Sequence, residues 1–312
     1  MPEAMQRYHG LDGYPRDVRA AITVGTFDGV HAGHEAIIRD VVRRAGARGG
    51  PGVVVTFDPH PREVVTGEPV ALLSTLDERA ACCEALGVER FVVVPFTADL
   101  ASWSAERFAR EVLFEQVGFG EIVVGHDHGF GRGREGGVDL LRALGDELGF
   151  AVDETPPLAV GGVVVSSSEV RRQLAAGDVA GAAALLGRPY AVEGKVVRGD
   201  QRGRLLGYPT ANVAAPARKI VPANGVYAVR AEVGGERFGG VMNVGTRPTF
   251  DGEGVRLEAH LFGFEGDLYG QVLRVEFVER IRDEQRFSGV DALRVQLAED
   301  AAVGRALLAR VS

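Results

Sequence analysis

Two histidines three residues apart, His31 and His34, sit among glycines at 25, 29 and 33 in the stretch Gly25-Thr26-Phe27-Asp28-Gly29-Val30-His31-Ala32-Gly33-His34. Side chains at i and i+3 lie on one side of a helical turn, so both imidazoles can reach one anion. Each can donate an N–H, or a positive charge when protonated, to oxygens that gain charge as a phosphoryl group moves. The apolar run Ala21 to Val24 before them reads as a buried strand. Ile37, Ile38, Val41, Val42 and Ala45 after them recur on one helical face. A strand turning into a helix aims backbone N–H groups and the positive end of a helix dipole at one spot, which suits a phosphate. A metal-binding pair or two surface histidines stay as alternatives, although no nearby cysteine or acid completes a ligand set.

Further groups able to do chemistry follow. Ser166-Ser167-Ser168-Glu169-Val170-Arg171 opens a helical pattern after the apolar run Val163 to Val165. Hydroxyls there can simply cap free N–H groups. An arginine three residues past the last serine can also clamp a phosphate on the same face. Arg198-Gly199-Asp200-Gln201-Arg202-Gly203-Arg204-Leu205-Leu206-Gly207 could cradle polyphosphate or be a solvated basic hairpin. Tyr208-Pro209-Thr210-Ala211-Asn212 comes directly after it. Thr210 and Asn212 project to one side of an extended segment, and their hydroxyl and carboxamide oxygens can share a Mg²⁺ that bridges phosphates. No Walker A sequence occurs, which excludes a P-loop kinase.

The Gly25 to His34 motif resembles the signature of the nucleotidylyltransferase superfamily. In this form it is most similar to bacterial bifunctional riboflavin kinase/FAD synthetases. The resemblance runs from near residue 20 to near residue 305. It implies a Rossmann-like nucleotidylyltransferase domain over 1–187, with ATP contacts from Gly25, Phe27, Asp28 and Gly33, and phosphate contacts from Ser167, Ser168 and Arg171. Ser168 stands where the family has Thr, which keeps the hydroxyl. The loop with Asp127 and Arg132 is similar to the family's Gly-x-Asn/Asp-x-x-Phe-Gly segment, with Asp127 where Asn is common and His128 where an aromatic is common. Pro209-Thr210-Ala211-Asn212 resembles the riboflavin kinase signature. Asn243-Val244-Gly245-Thr246-Arg247-Pro248-Thr249 and Leu257-Glu258-Ala259-His260 are similar to that family's later blocks. The resemblance thus implies a kinase domain over 188–312, with contacts from Gly199, Arg202, Gly203, Gly207 and Asn243. It makes Glu258 the base for the ribityl 5′-hydroxyl; taken alone, Glu258 could equally be an outward strand residue in a cross-strand pair. Arg286 and Phe287 are placed to close over a flavin ring. MgATP, riboflavin and FMN are the implied small-molecule ligands, with FAD as product.

These groups need elements to position them. Gly52–Phe57, Phe91–Val94 and Glu121–Val124 read as further strands, and Thr75 and Glu78 have capping-box spacing at a helix start. Ser104 is expected to cap a helix through Phe114, and residues 1–19 to be a loose lead-in. Strands alternating with helices predict a doubly wound parallel α/β sheet, with ligands beyond the carboxyl ends of its strands. The loops 25–34, 58–62 and 125–136 all fall there. Gly131-Arg132-Gly133-Arg134-Glu135-Gly136 matches G-x-G-x-x-G, but six residues separate it from its strand and two arginines crowd it. A loop reaching for phosphate or adenine suits it better than a dinucleotide fingerprint. Asp178 starts a short helix to Leu186, and Gly187-Arg188-Pro189-Tyr190 reads as a hinge. Beyond it, Tyr190–Val197, Gly225–Val233, Arg237–Val244, Arg256–Phe262 and Gln271–Phe277 read as strands of a closed barrel or sandwich, with Gly234-Gly235 as a hairpin turn and a terminal helix from about Val290; the resemblance implies a Greek-key-like barrel.

The chain has 312 residues, 46% apolar, with net charge −8. That length suits two cores, and the acidic balance argues against broad nucleic-acid or anionic-membrane binding. The two cysteines, Cys82 and Cys83, are adjacent and form no disulfide framework. With no apolar run near the ~18 residues that span a bilayer and no signal-peptide core, a cytoplasmic protein is expected. Self-association is left open.

Overall fold

The computed structural model describes residues 4–198, 207–249 and 252–310, with 247–249 and 252–254 described by backbone alone. The chain divides into two units, Met1–Ser167 and Ser168–Ser312.

In the first unit the elements run β1 (Gln6–His9), β2 (Ala21–Val24), α1 (Ala32–Arg48), β3 (Gly52–Asp58), α2 (Pro61–Thr66), α3 (Leu76–Ala85), β4 (Arg90–Pro95), α4 (Ala98–Ser102) and α5 (Ala105–Arg107). The last continues as a π-helical stretch, Phe108–Val117. Then come β5 (Glu121–Gly125), α6 (Val138–Leu148), β6 (Ala151–Thr155) and a hairpin of β7 (Ala159–Val160) and β8 (Val163–Val164). The main sheet is parallel and six-stranded, in the order β1-β4-β3-β2-β5-β6. Its four central strands, β4, β3, β2 and β5, are largely apolar on both faces because helices cover both. Val53 and Val55 pack with Phe108, Leu113 and Ile122, while Val54 packs with Ile38, Cys83 and Phe91. Strand order reverses between β2 and β5, so the loops leaving these two strands flank a topological switch point.

The expected strands and the Thr75/Glu78 capping box are present. The run at Val163 is extended too, as β8 of the small β7–β8 hairpin. Two expectations are corrected. The lead-in is not all loose: Gln6–His9 adds an edge strand along β4. The helix capped by Ser104 runs on past Phe114 to Val117.

The second unit takes up α7 (Ser167–Ala176) from Ser168 onward, then α8 (Val179–Leu186). Next come β9 (Tyr190–Val197), β10 (Ala211–Ala214), β11 (Gly225–Val233), β12 (Glu236–Thr249), β13 (Gly252–Leu261), β14 (Val272–Arg282) and a terminal helix, α9 (Val290–Arg310). The six strands close into an antiparallel barrel ordered β10-β13-β12-β11-β14-β9. Three successive strands, β11 to β13, with β14 returning beside β11, make the Greek key. Gly234 and Gly235, at φ 59° and 84°, form the expected hairpin turn. Strand β10 was not foreseen; it is four residues long and follows Pro209. Asp300 on α9 is buried and takes two hydrogen bonds from Arg282 of β14, Nε at 2.8 Å and Nη2 at 2.6 Å, fixing helix to barrel.

Candidate active sites

The histidine motif occupies the exit of β2, at the switch point. His31 is the N-cap of α1, and its Nδ1 accepts the backbone N–H of His34 at 3.2 Å. An accepting Nδ1 carries no proton, so the ring's proton sits on Nε2 and makes that nitrogen the ring's donor. The His31 and His34 rings stack at 3.6 Å and 14°, and Phe27 meets His34 edge-on at 5.1 Å. A Cβ at Gly33 would stand 3.3 Å from the His31 ring, so glycine here makes room for that imidazole. A Cβ at Gly25 would likewise stand 3.3 Å from the Phe27 ring.

The turn before the histidines is unusual. Val30 N–H donates to the Phe27 carbonyl at 3.0 Å, and Gly29 has φ 85°. Phe27 and Val30 also have positive φ, 47° and 40°. A left-handed backbone costs a residue with a Cβ about 1–2 kcal/mol, so the surroundings must enforce it. Asp28 does part of this. It is buried, accepting Leu73 N–H on Oδ2 at 3.0 Å and Ser74 N–H on Oδ1 at 3.0 Å. Its carbonyl accepts the Ser167 hydroxyl at 2.9 Å. Asp28 thus shapes the loop with its carboxylate, and Ser167 binds that loop.

The segment leaving β5 does not form a dinucleotide fingerprint. Arg132–Arg134 is a single 3₁₀ turn, closed by a bridge between Phe130 and Gly136. Asp127 and Arg132 are exposed, and Arg134 Nη2 donates to the Asp127 carbonyl at 3.0 Å. His128 lies against Phe130, ring centroids 5.4 Å apart. Burial and then the positive charge of Arg134 push its pKa down to about 4, with Asp127 opposing. Ser168 is exposed on α7 and Arg171, one turn further, is half-buried.

In the barrel, residues from three separate motifs meet. Asn212 on β10 is paired in register with Glu258 on β13, and Glu258 with Asn243 on β12. Directly opposed antiparallel residues have Cβ atoms about 5 Å apart on one face. The three are half-buried, while their neighbours Ala211, Val213, Leu257, Ala259, Met242 and Val244 fill the barrel. Arg256 joins the row: Nη2 pairs with Glu258 Oε1 at 2.8 Å and Nε donates to Asn212 Oδ1 at 3.3 Å. A cavity of about 540 Å³ is lined by Thr210, Pro209, Ala211, Ala259, Phe264, Asp267 and Tyr269, among others; Ala211 and Ala259 alternate with Asn212 and Glu258, so the cavity lies on the strand face opposite the polar row. His260 Nδ1 lies 2.9 Å from the Pro209 carbonyl, bracing this segment. Hydroxyl, carboxamide and carboxylate oxygens are the hard donors that Mg²⁺ accepts, few of them from protein and the rest from water and phosphate.

Gly207 is exposed with φ 83°, and Arg286 is exposed between β14 and α9. Gly199, Arg202 and Gly203 lie outside the described residues. Sequence reasoning passed over Ser74, Arg79 and Arg256. Arg79 had a signal: it shares a helical face with Leu76, Ala80 and Cys83, where a core residue belongs.

A parallel switch-point site with paired imidazoles, followed by a Greek-key barrel with its own polar row and cavity, defines a two-site nucleotide-dependent transferase. Family models agree. FAD synthetase matches residues 15–169, and riboflavin kinase matches residues 186–308. The bifunctional riboflavin kinase/FMN adenylyltransferase of Pseudomonas fluorescens is 41% identical over 307 residues, 98% of each chain. That of Escherichia coli K12 is 39% identical over 299 residues, 95% of each. A crystal structure described as a macrolide-efflux protein from Streptococcus pneumoniae superposes with TM-score 0.89 at 31% identity, covering 97% of this chain and 99% of that one. The chain belongs to the bifunctional riboflavin kinase/FMN adenylyltransferase family. Its two activities are phosphorylation of riboflavin to FMN and adenylylation of FMN to FAD, with ATP and flavins as substrates.

Proposed function

We propose that the two activities divide between the two sites as follows. At the β2 exit, an oxygen of the FMN phosphate attacks the α-phosphorus of ATP, the bond to the β-phosphate oxygen breaks, and pyrophosphate leaves. His31 and His34 donate to the departing diphosphate, and Ser167, Ser168 and Arg171 hold phosphates. No covalent intermediate is needed, because positioning and charge neutralisation supply most of the rate. Gly25, Phe27 and Gly33 let the backbone lie close to ATP, while Asp127 and Arg132 bound the nucleotide from the β5 loop.

In the barrel, the riboflavin 5′-hydroxyl attacks the γ-phosphorus of ATP, its proton passes to Glu258, and ADP leaves. An alcohol is a weak nucleophile until a placed carboxylate takes its proton. Thr210 and Asn212 would hold Mg²⁺, which supplies charge neutralisation across the phosphates when bound. Gly207 and Asn243 contact ligand, Arg286 closes over the flavin, and Gly199, Arg202 and Gly203 complete the phosphate loop. Functionally we place the boundary at Gly187/Arg188, because the Ser167 to Arg171 motif serves FMN adenylylation. A cytoplasmic setting is proposed from the two free thiols in α3.

The observation that carries this reading is the register Asn212–Glu258–Asn243, which gathers three kinase motifs into one row. The test is to supply riboflavin and MgATP to single-site variants and separate FMN from FAD. His34→Ala accumulating FMN and Glu258→Gln accumulating neither product from riboflavin, yet making FAD from added FMN, is the expected pattern. Efflux, named for the pneumococcal structure, gains no support: among the described residues no helix is long and apolar enough to cross a membrane.

A further inference from the structure

The turn that delivers His31 and His34 is gripped by one short segment, Leu73–Arg79, and none of its residues belongs to the histidine motif. Leu73 and Ser74 donate their backbone N–H groups to Asp28. The Ser74 hydroxyl lies 2.7 Å from Gly29 N, whose N–H it accepts, and 3.2 Å from Asp28 Oδ1, to which it donates. One turn into α3, the buried Arg79 sends Nη1 to the Thr26 carbonyl at 2.8 Å and to Thr56 Oγ1 at 3.3 Å. Thr56 Oγ1 itself donates to the same carbonyl at 3.2 Å. So the carbonyl entering the turn is fixed by β3 and α3 together, and its tip by Leu73 and Ser74, just before the Thr75 cap of α3. Both positive-φ residues, Phe27 and Val30, lie between or next to these anchors. Burying a guanidinium is costly, and here it is directed at a backbone oxygen one residue before the first left-handed position.

We propose that Ser74 and Arg79 are positioning residues for adenylyl transfer: they hold the Thr26–Val30 turn in its left-handed form and so aim the His31 and His34 rings. This rests on the reading that those histidines serve FMN adenylylation. Donors pointed where charge develops act on the transition state more than on the bound substrate, so misaiming them lowers kcat more than it raises KM.

The experiment uses the full-length protein with Arg79→Met, Arg79→Lys, Ser74→Ala and, as reference, His34→Ala. FAD synthesis from FMN and ATP is measured for kcat and for KM of ATP, and FMN formation from riboflavin reports on the rest of the same chain. Arg79→Met is expected to lower kcat for FAD synthesis roughly 10- to 100-fold with KM for ATP within about threefold, since small displacements of aligned groups carry penalties of that size. Arg79→Lys, which keeps a donor for the Thr26 carbonyl, should recover most of that loss. Ser74→Ala should fall between the two, and FMN formation should stay within about twofold in all three. An unchanged kcat in both Arg79→Met and Ser74→Ala, a loss confined to KM, or a folded Lys variant as slow as Met would overturn the proposal. Should the Met variant fail to fold, Ser74→Ala decides: a lowered kcat with KM for ATP within about threefold supports the proposal, and an unchanged kcat or a loss confined to KM overturns it. FAD synthesis surviving His34→Ala would instead remove the role given to the histidines themselves.

Discussion

The histidine motif we assign to adenylyl transfer and the polar row we assign to the kinase are assembled in opposite ways. The first is a continuous piece of chain: Gly25 to His34 leaves one strand, makes one turn and starts one helix. The second is built from register: Asn212, Glu258 and Asn243 are far apart in sequence and become neighbours only because β10, β13 and β12 pair as they do. A local site can be disturbed by a change in its own turn. A register site depends on every strand that sets the pairing, and a one-residue slip would turn its side chains to the other face.

Removing the chemistry at each site should give the largest effects and test whether the two are independent. Glu258→Gln is expected to lower kcat for riboflavin phosphorylation by about 10²–10⁴, the usual loss for a general base, with FAD synthesis from supplied FMN within twofold. Steady-state assays with riboflavin and with FMN check both halves. His34→Ala should slow FAD synthesis by about 10²–10³ through loss of a donor to the leaving diphosphate, while FMN formation continues. Parallel loss of both activities in either variant would break the comparison.

A smaller effect concerns where the register site ends. The α7–α8 pair packs on the barrel: the Ala223 N–H donates to the Leu174 carbonyl at 2.9 Å, and α8 lies against β9 and β14. Leu174, Val179, Leu185 and Leu186 are buried. A fragment spanning 168–312 should therefore melt at least about 10 °C above one spanning 188–312, both followed by circular dichroism, because several buried aliphatic side chains are at stake. Equal melting temperatures would show that the two helices add nothing to the barrel.

The last effect is on stability alone and concerns the loop leaving β5. The folded chain refuses a proton on His128 until about pH 4, whereas an unfolded histidine takes one near its ordinary 6.5. Between these values the unfolded state binds more protons, so stability falls as pH drops from about 6.5 toward 4. His128→Phe should remove about 2–3 kcal/mol of that acid loss, read as a flatter dependence of urea midpoints on pH. An unchanged pH profile would show that the imidazole is already solvated.

The same contrast explains what could be read from sequence. The β2 exit, the Thr75/Glu78 capping box and the Asp178 helix start were legible because each depends on residues close along the chain. Strand β1 was not, since Gln6-Arg7-Tyr8-His9 is a short polar edge with no apolar alternation. Strand β10 hid behind Pro209, and with it the pairing that brings Asn212 to Glu258. Asp28 also accepts hydrogen bonds from the 73–74 backbone, long-range contacts that no spacing announces. Arg79 and Arg256 went unnoticed because each acts by reaching across to another element.

His31 serves two masters, its Nδ1 closing the first turn of α1 while its ring stacks on that of His34. Any replacement at this position therefore confounds helix initiation with chemistry, and even an isosteric amide would have to satisfy both. For dissecting the reaction, position 34 is the cleaner handle; for tuning how firmly the site is held together, position 31 is the more telling one.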